Sequence, residues 1–386
     1  MMFRYTCLNP VSKVGLDCFG SGYSSVSSMD DADAVLVRSA DMHQLTVPNN
    51  VKCVARAGAG VNNIPLMELA KQGIPVFNTP GANANGVKEL VFAAMLLAAR
   101  DVVGGINWAA SQVGNESVAK DTEKEKKKFA GFELSGKKLG VIGLGAIGRL
   151  VANTAVHLGM EVYGYDPYIS VDGAWNLSKN VRHSNDVKEI YTNCDYITIH
   201  VPLMDATRGM ISAEAFTLTK PNTVLINLAR DVLVDESAAI KALEEGRLGK
   251  YVTDFPNPTV LGKKGVIAIP HLGASTEESE DNCAVAAVKQ VRDFLENGNL
   301  TNCVNFPNCQ MGVCTAASRV GVFHDNVKSM ISQFTTALSH TNILNMSNVS
   351  RGTLAYTLLD LEEAVSEETI RNMENIPGVL RVIVVK

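Results

Sequence analysis

Short apolar runs recur along the chain at 34–37, 52–55, 75–77, 139–142, 161–165, 196–199, 224–226 and 266–269, and they are continuous rather than alternating with polar residues. A strand with one wet face alternates; a strand apolar throughout must be covered on both faces, as in parallel sheets flanked by helices. Longer amphipathic stretches separate the runs, so the pattern reads as repeated strand–helix units and the fold class as α/β. At 386 residues, 46% of them hydrophobic, the chain exceeds one domain and can bury a large core.

The charge run 120–128 separates a first α/β unit from a second that begins near Leu134, and reads as a solvated connector. A second boundary falls at 300–318, where Asn, Pro and Cys replace the helical pattern of 284–295. Beyond it the expected order is a strand at 320–323, a helix at 326–338, two strands about the turn Arg351-Gly352, a helix at 366–375 and a last strand at 379–386. That is a βαββαβ, ferredoxin-like α+β module. The first two units are loosely alike, because Gly58-Ala59-Gly60-Val61-Asn62-Asn63 also follows a strand. It has Asn63 in place of a third glycine, and its next strand ends in Asn78 rather than an acid, so a substrate-binding role suits the first unit better.

A formal charge of -5, from 35 basic against 40 acidic residues, offers no basic face for nucleic acid and no polybasic membrane patch. The apolar run 90–99 is far short of the roughly 20 residues that span a bilayer, and reads as a buried helix. No sustained apolar core follows the N-terminus, so a cytoplasmic location is expected. Among the eight cysteines none forms a Cys-x-x-Cys pair, and the cluster Cys303, Cys309 and Cys314 matches no zinc spacing, so reduced thiols and no metal are expected.

Four features carry chemistry. Gly143-Leu144-Gly145-Ala146-Ile147-Gly148 follows an apolar strand and opens a helix, the context in which a G-x-G-x-x-G turn cradles a pyrophosphate at a helix N-terminus. Asp166 ends the next strand, where a carboxylate accepts from ribose hydroxyls and repels a 2′-phosphate, favouring NAD over NADP. Arg230 lies just past a buried strand and offers a planar fork to a carboxylate or developing alkoxide. His271 follows the strand at 266–269, and its imidazole suits removal of a C2 hydroxyl proton and its return. Taken singly, a strand-end arginine or histidine is as readily a surface ion pair or a satisfied structural residue; the combination points to hydride transfer.

Together with Asn227-Leu228-Ala229-Arg230, Val234-Asp235-Glu236, Asp254-Phe255 and Pro270-His271-Leu272-Gly273-Ala274-Ser275, these segments resemble the D-isomer-specific 2-hydroxyacid dehydrogenases over about 34–306. The resemblance implies two Rossmann-like parallel-sheet domains. A discontinuous substrate-binding domain, 1–100 and 280–306, would embrace an NAD-binding domain, 101–279, with a linker at 307–318 and an ACT-like sensor module at 319–386. It implies that Arg230 and His271 are catalytic, and that Ala146, Ile147, Leu228, Ala229, Gly273 and Ala274 join the glycines and Asp166 at the cofactor. Asp254 would meet the nicotinamide carboxamide. Arg38 and Ser39 would hold a substrate phosphate, and Gly60 with Asn83 the carboxylate. The implied reaction is oxidation of 3-phospho-D-glycerate to 3-phosphohydroxypyruvate in serine synthesis, by a homodimer or homotetramer.

Two departures stand out. Where the family carries a glutamate beside the catalytic histidine, Asn257 occupies the place; an amide orients an imidazole but stabilises imidazolium less than a carboxylate does. Asn257 is therefore the expected partner of His271, with Glu277 or Glu278 as substitutes. In the C-terminal module His324, Asn326 and Asn342 stand at places that resemble an amino-acid effector site for L-serine, yet Val327-Lys328-Ser329 replaces the usual Pro-Gly turn. Three readings stay open: the phosphorylated substrate, a glyoxylate or hydroxypyruvate reductase, and an NAD-sensing protein without turnover.

Overall fold

The computed structural model describes residues 2–385, and the chain divides into two compact units, Met1–Asn83 with Glu277–Lys386, and Ala84–Thr276. In the first, β1 (Phe3–Cys7), β2 (Tyr23–Ser25), β3 (Ala34–Val37), β4 (Cys53–Arg56) and β5 (Val76–Phe77) form a parallel sheet in the order β2-β1-β3-β4-β5. Every residue of β3 is buried, as its uninterrupted apolar run requires. The helix Glu277–Asn297 lies against this sheet. Ala287, Val288, Val291 and Phe294, spaced as one helical face, share a core with Leu36, Ala55 and Phe77. Its first-turn acids Glu277, Glu278 and Glu280 complement the positive helix end.

In the second unit β6 (Lys138–Ile142), β7 (Glu161–Tyr165), β8 (Val181–His183), β9 (Tyr196–Ile199), β10 (Thr223–Asn227), β11 (Leu248–Thr253) and β12 (Val266–Ala268) form a parallel sheet in the order β12-β11-β10-β9-β6-β7-β8. The order runs outward in both directions from the β6–β9 pair, a switch point of the kind that opens a ligand crevice at the carboxyl ends of strands. Val91, Ala94 and Met95 of the helix Ala84–Ala99 pack with Val151, Ala152 and Ala155 of the helix Ala146–His157 over one face. Ile190, Phe216, Ala239 and Ala242 cover the other. The helix Ala84–Ala99 therefore belongs to the second unit: the chain changes units after Asn83 rather than at residue 100, and returns at Glu277 rather than 280. The charge run is helical, Val118–Glu125 followed by a 3-10 turn, with Lys126–Glu123 and Lys128–Glu125 pairs three residues apart.

The last segment supplies β13 (Ser318–Asp325), β14 (Ile343–Arg351), β15 (Leu354–Leu361) and β16 (Val379–Val384), an antiparallel sheet in the order β14-β15-β13-β16, with helices Met330–Ala337 and Glu367–Glu374. This is the expected βαββαβ order; Lys386, to which the sequence carries the last strand, lies outside the described residues. Val320, Val322 and Leu359 face the two helices, while Phe323 and Tyr356 turn to the opposite side and join Phe294 and Phe306 in the core of the first unit. The Phe323 ring centroid is 4.8 Å from Phe306 and 4.5 Å from Tyr356.

The module is thus fused to the first unit by a shared core, and the approach to it is no loose linker. Leu300 and Cys309 form an antiparallel bridge, Cys303 and Cys309 are buried, and the Tyr356 hydroxyl donates to the Gly298 carbonyl at 2.8 Å. Arg319, 1% exposed, makes a bidentate pair with Asp360 at 2.5 and 3.0 Å while donating to the carbonyls of Asn297 and Gly312. Among the described residues no helix is long and apolar enough to cross a membrane. Removing one partner of a buried ion pair strands the other charge. Asp360→Ala is expected to cost about 3–5 kcal/mol in a denaturant titration, and Asp360→Leu combined with Arg319→Met much less.

Candidate active site

The turn between β6 and the helix Ala146–His157 assigns its three glycines different work. Gly143 has φ 91°, in the left-handed region, and a Cβ there would press on the carbonyl of His200. Gly145 is the N-cap; no side chain caps the helix, and a Cβ there would meet no protein atom within 4 Å. Gly148 is buried, and a Cβ on it would strike the Gly143 carbonyl oxygen. A tight turn, an open approach to bare helix amides and a close helix–strand contact are the conditions for a pyrophosphate, so these residues fit a dinucleotide. Ala146 is exposed beside the turn, and Ile147 packs into the core below it.

Asp166 stands past the end of β7, its Oδ2 accepting from the Leu144 amide at 2.8 Å and its Oδ1 from the Tyr168 amide at 2.9 Å. It braces the glycine turn with lone pairs left for ribose hydroxyls. His200, which the sequence reading passed over, follows β9 at the switch point. Burial pushes its imidazole down to about 3, so it is neutral, and its Nε2 lies 2.9 Å from the Thr198 hydroxyl.

Arg230 leaves the end of β10. Buried Asn227 shapes this exit by donating to the Arg230 carbonyl at 2.8 Å and accepting from the Ala229 amide at 3.2 Å, with Leu228 buried between them; the Arg230 guanidinium itself is exposed. His271 leaves the end of β12 with φ 51°, a left-handed conformation that costs a non-glycine residue roughly 1–2 kcal/mol. The turn is held by its own amide, which donates to the carbonyls of Asp254 and Ile269, and by the Asp254 carboxylate. That carboxylate accepts from the amides of Leu272 and Gly273, both at 2.7 Å. Asp254 is 1% exposed; burial pushes its carboxyl up and the backbone donors pull it back. Gly273 is tight against it, and Ala274 follows, half-buried. Phe255 supports the imidazole, ring centroids 5.2 Å apart.

Asn257 does not hydrogen-bond His271. Its Nδ2 donates to Glu236 Oε2 at 2.8 Å and to the Phe255 carbonyl at 3.2 Å, and its Oδ1 accepts from the Thr259 amide at 2.9 Å. The amide is spent on Glu236 and on its own turn. Glu277 and Glu278 lie exposed in the first turn of the helix Glu277–Asn297.

In the first unit, Arg38 and Ser39 follow β3, Gly60 follows β4 and Asn83 follows β5, so all four stand at the carboxyl edge of that sheet. Thr79 N donates to the Gly58 carbonyl at 3.0 Å and Asn78 Nδ2 to that of Ala59 at 2.6 Å, drawing two of these loops together. Arg38 is paired with Glu280. In the C-terminal module His324 is buried, its ring nitrogens taken by the Asp325 carbonyl at 2.8 Å and the Thr357 hydroxyl at 2.9 Å. Asn326 donates to the Gly352 carbonyl, and Asn342 is exposed. His324 is thus a satisfied core residue rather than an open ligand contact.

Three substitutions test this geometry. Gly148→Ala should lose about 1–3 kcal/mol from overpacking, while Gly145→Ala should unfold like the wild type yet bind NAD more weakly, read by thermal unfolding and calorimetry. Asn257→Glu would set a second carboxylate against Glu236, and a lower melting temperature is expected, not a gain in activity.

Residues 92–273 match the model of the "D-isomer specific 2-hydroxyacid dehydrogenase, NAD binding domain". The chain is 36% identical over 293 residues to D-3-phosphoglycerate dehydrogenase of Methanocaldococcus jannaschii, covering 73% of this chain and 53% of that one. It is 35% identical over 289 residues to the Homo sapiens protein of the same name, covering 72% and 52%. It therefore spans about half the length of the curated relatives it matches. Among solved structures, NAD+-bound 3-phosphoglycerate dehydrogenase of Entamoeba histolytica superposes with a TM-score of 0.62 at 28% identity, covering 79% of this chain and 99% of that one. D-2-hydroxyisocaproate dehydrogenase, at 21% identity, 79% and 100% coverage and a TM-score of 0.65, shares the fold. Residues 92–273, which carry the glycine turn, Asp166, Arg230 and His271, thus match the NAD binding domain of the D-isomer specific 2-hydroxyacid dehydrogenase family.

Proposed function

We propose that the chain is an NAD-dependent dehydrogenase that oxidises 3-phospho-D-glycerate at C2 to 3-phosphohydroxypyruvate, the entry step of serine synthesis. The observation that carries this reading is that Arg230 and His271 leave the carboxyl ends of β10 and β12, in the same parallel sheet whose β6 ends in the Gly143–Gly148 turn. NAD, when bound, accepts the hydride from C2. The Arg230 fork holds the substrate carboxylate and the C2 oxygen, stabilising charge as it develops. His271 takes the hydroxyl proton as the C2–H bond breaks and returns it in the reverse direction. Asp254 works through His271 by fixing its turn, with its remaining lone pairs available to the nicotinamide carboxamide.

The phosphate is assigned to Arg38 and Ser39, and the carboxylate also to Gly60 and Asn83. The Arg38–Glu280 pair is only half-buried and therefore weak, so a dianionic phosphate can displace the carboxylate. The naming of the relatives at 35–36% identity supports this substrate. L-serine as an effector of the C-terminal module is supported by its βαββαβ order and exposed Asn342, with His324 acting only as a buried support; calorimetry showing no serine binding at millimolar concentration would remove it.

A panel of phosphorylated and unphosphorylated 2-hydroxy and 2-oxo acids with NAD(H) and NADP(H) tests the reading. Turnover with NAD and the phosphorylated acid is expected, with His271→Ala lowering kcat by about 10²–10⁴-fold. Arg38→Ala should raise KM for the phosphorylated substrate alone. Equal use of unphosphorylated hydroxypyruvate would shift the reading to a reductase, and wild-type inactivity across the panel to a sensor.

A further inference from the structure

Glu236 has no part in the chemistry above, yet its carboxylate points inward. It opens the helix Glu236–Glu244, just after the 3-10 turn Asp231–Leu233 that follows Arg230. First-turn acidity alone does not explain this orientation, because an exposed acid would serve the helix dipole as well and Asp235 already caps the helix by accepting from the Ala238 amide at 3.0 Å. Glu236 Oε1 is buried and has no hydrogen bond among the described residues; Oε2 accepts from Asn257 Nδ2 at 2.8 Å. Burial pushes the Glu236 carboxyl up, and the Asn257 amide pulls it back toward the charged form. The neighbouring Tyr251 hydroxyl, also buried, likewise draws the Glu236 carboxyl toward the charged form. A half-buried acid with one enclosed oxygen is costly where an apolar side chain would pack as well.

What the acid does instead is connect. The same Asn257 amide that meets Glu236 also meets the Phe255 carbonyl at 3.2 Å, and the Phe255 ring lies 5.2 Å from the His271 ring, the two planes at 58°. We propose that Glu236 is a positioning residue: through Asn257 and Phe255, its carboxylate ties the segment that carries Arg230 to the segment that carries His271. The inference rests on the catalytic reading of those two residues given above. A brace of this kind holds the guanidinium and imidazole at a fixed separation while each remains exposed to substrate, and a small misplacement of either is enough to slow a reaction that depends on aligned atoms.

The test compares Glu236→Ala, Glu236→Gln, Asn257→Ala and the double alanine variant in the full chain. The readouts are kcat, KM for NADH, and the NMR signals of the His271 ring, identified by their loss in His271→Gln. Glu236→Ala is expected to lower kcat about tenfold with KM for NADH unchanged, as a displaced catalytic group does. It should also shift the His271 ring signals. Glu236→Gln, whose amide oxygen still accepts from Asn257, should recover most of kcat. Asn257→Ala, which breaks the same bond from the other loop and serves if Glu236→Ala does not fold, should reproduce the loss, with the double variant no worse than either single. Wild-type kcat and unchanged ring signals in Glu236→Ala or Asn257→Ala would overturn the inference, as would losses that multiply in the double variant. Should the wild type turn over no 2-oxo acid, the catalytic reading fails separately, and the ring signals alone decide whether Glu236 positions His271.

Discussion

A parallel strand buried on both faces leaves only its ends for chemistry, and this constraint governs the second unit. In β6, β9 and β10 nearly every side chain is enclosed, so no polar group can serve from within the sheet without being stranded. The candidate site residues are accordingly those that follow each strand: the glycine turn after β6, Asp166 after β7, Arg230 after β10, Asp254 after β11 and His271 after β12. Because the strands are parallel, these exits all lie at the same edge of the sheet.

Exits of this kind must be shaped, and the shaping is done by polar side chains that bond the backbone. Buried Asn227 sets the turn into Arg230, buried Asp254 the turn through His271, and half-buried Asp166 the entry to the glycine turn. The left-handed backbone of His271 persists only because its surroundings over-determine it, with amide donors from the two residues after it gathered on one carboxylate. Rigid loops that present exposed guanidinium and imidazole groups follow from that division between buried support and open chemistry.

The parallel sheets were legible because burial on both faces writes itself as uninterrupted apolar runs; β9 coincides with the run at 196–199 and is buried throughout, while β7, at the run 161–165, is buried only at alternate residues. β11 carries no such signal, since Gly249 and Lys250 interrupt its run although Tyr251, Val252 and Thr253 are buried. The fused C-terminal module was half-legible. Its element order could be read, but the turning of Phe323 and Tyr356 toward Phe294 and Phe306 is a tertiary fact with no local signal. Within the site, glycine spacing and strand ends pointed to Gly143–Gly148, Asp166, Arg230 and His271. The family resemblance suggested Asn257 as the partner of His271, whereas in three dimensions its amide goes to Glu236, an acid whose inward orientation no sequence period reveals. In the C-terminal module the resemblance put His324 at a ligand, whereas its ring is taken by the Asp325 carbonyl and the Thr357 hydroxyl.

The central claim is that a hydride passes between NADH and C2 while His271 handles the proton. Mass spectrometry of the product formed from a 2-oxo acid with NADH deuterated at C4 tests it most directly. The account predicts deuterium at C2 of the hydroxy acid in the wild type and almost none in the same time with His271→Ala. Label absent from C2, or incorporated equally fast without His271, would contradict it.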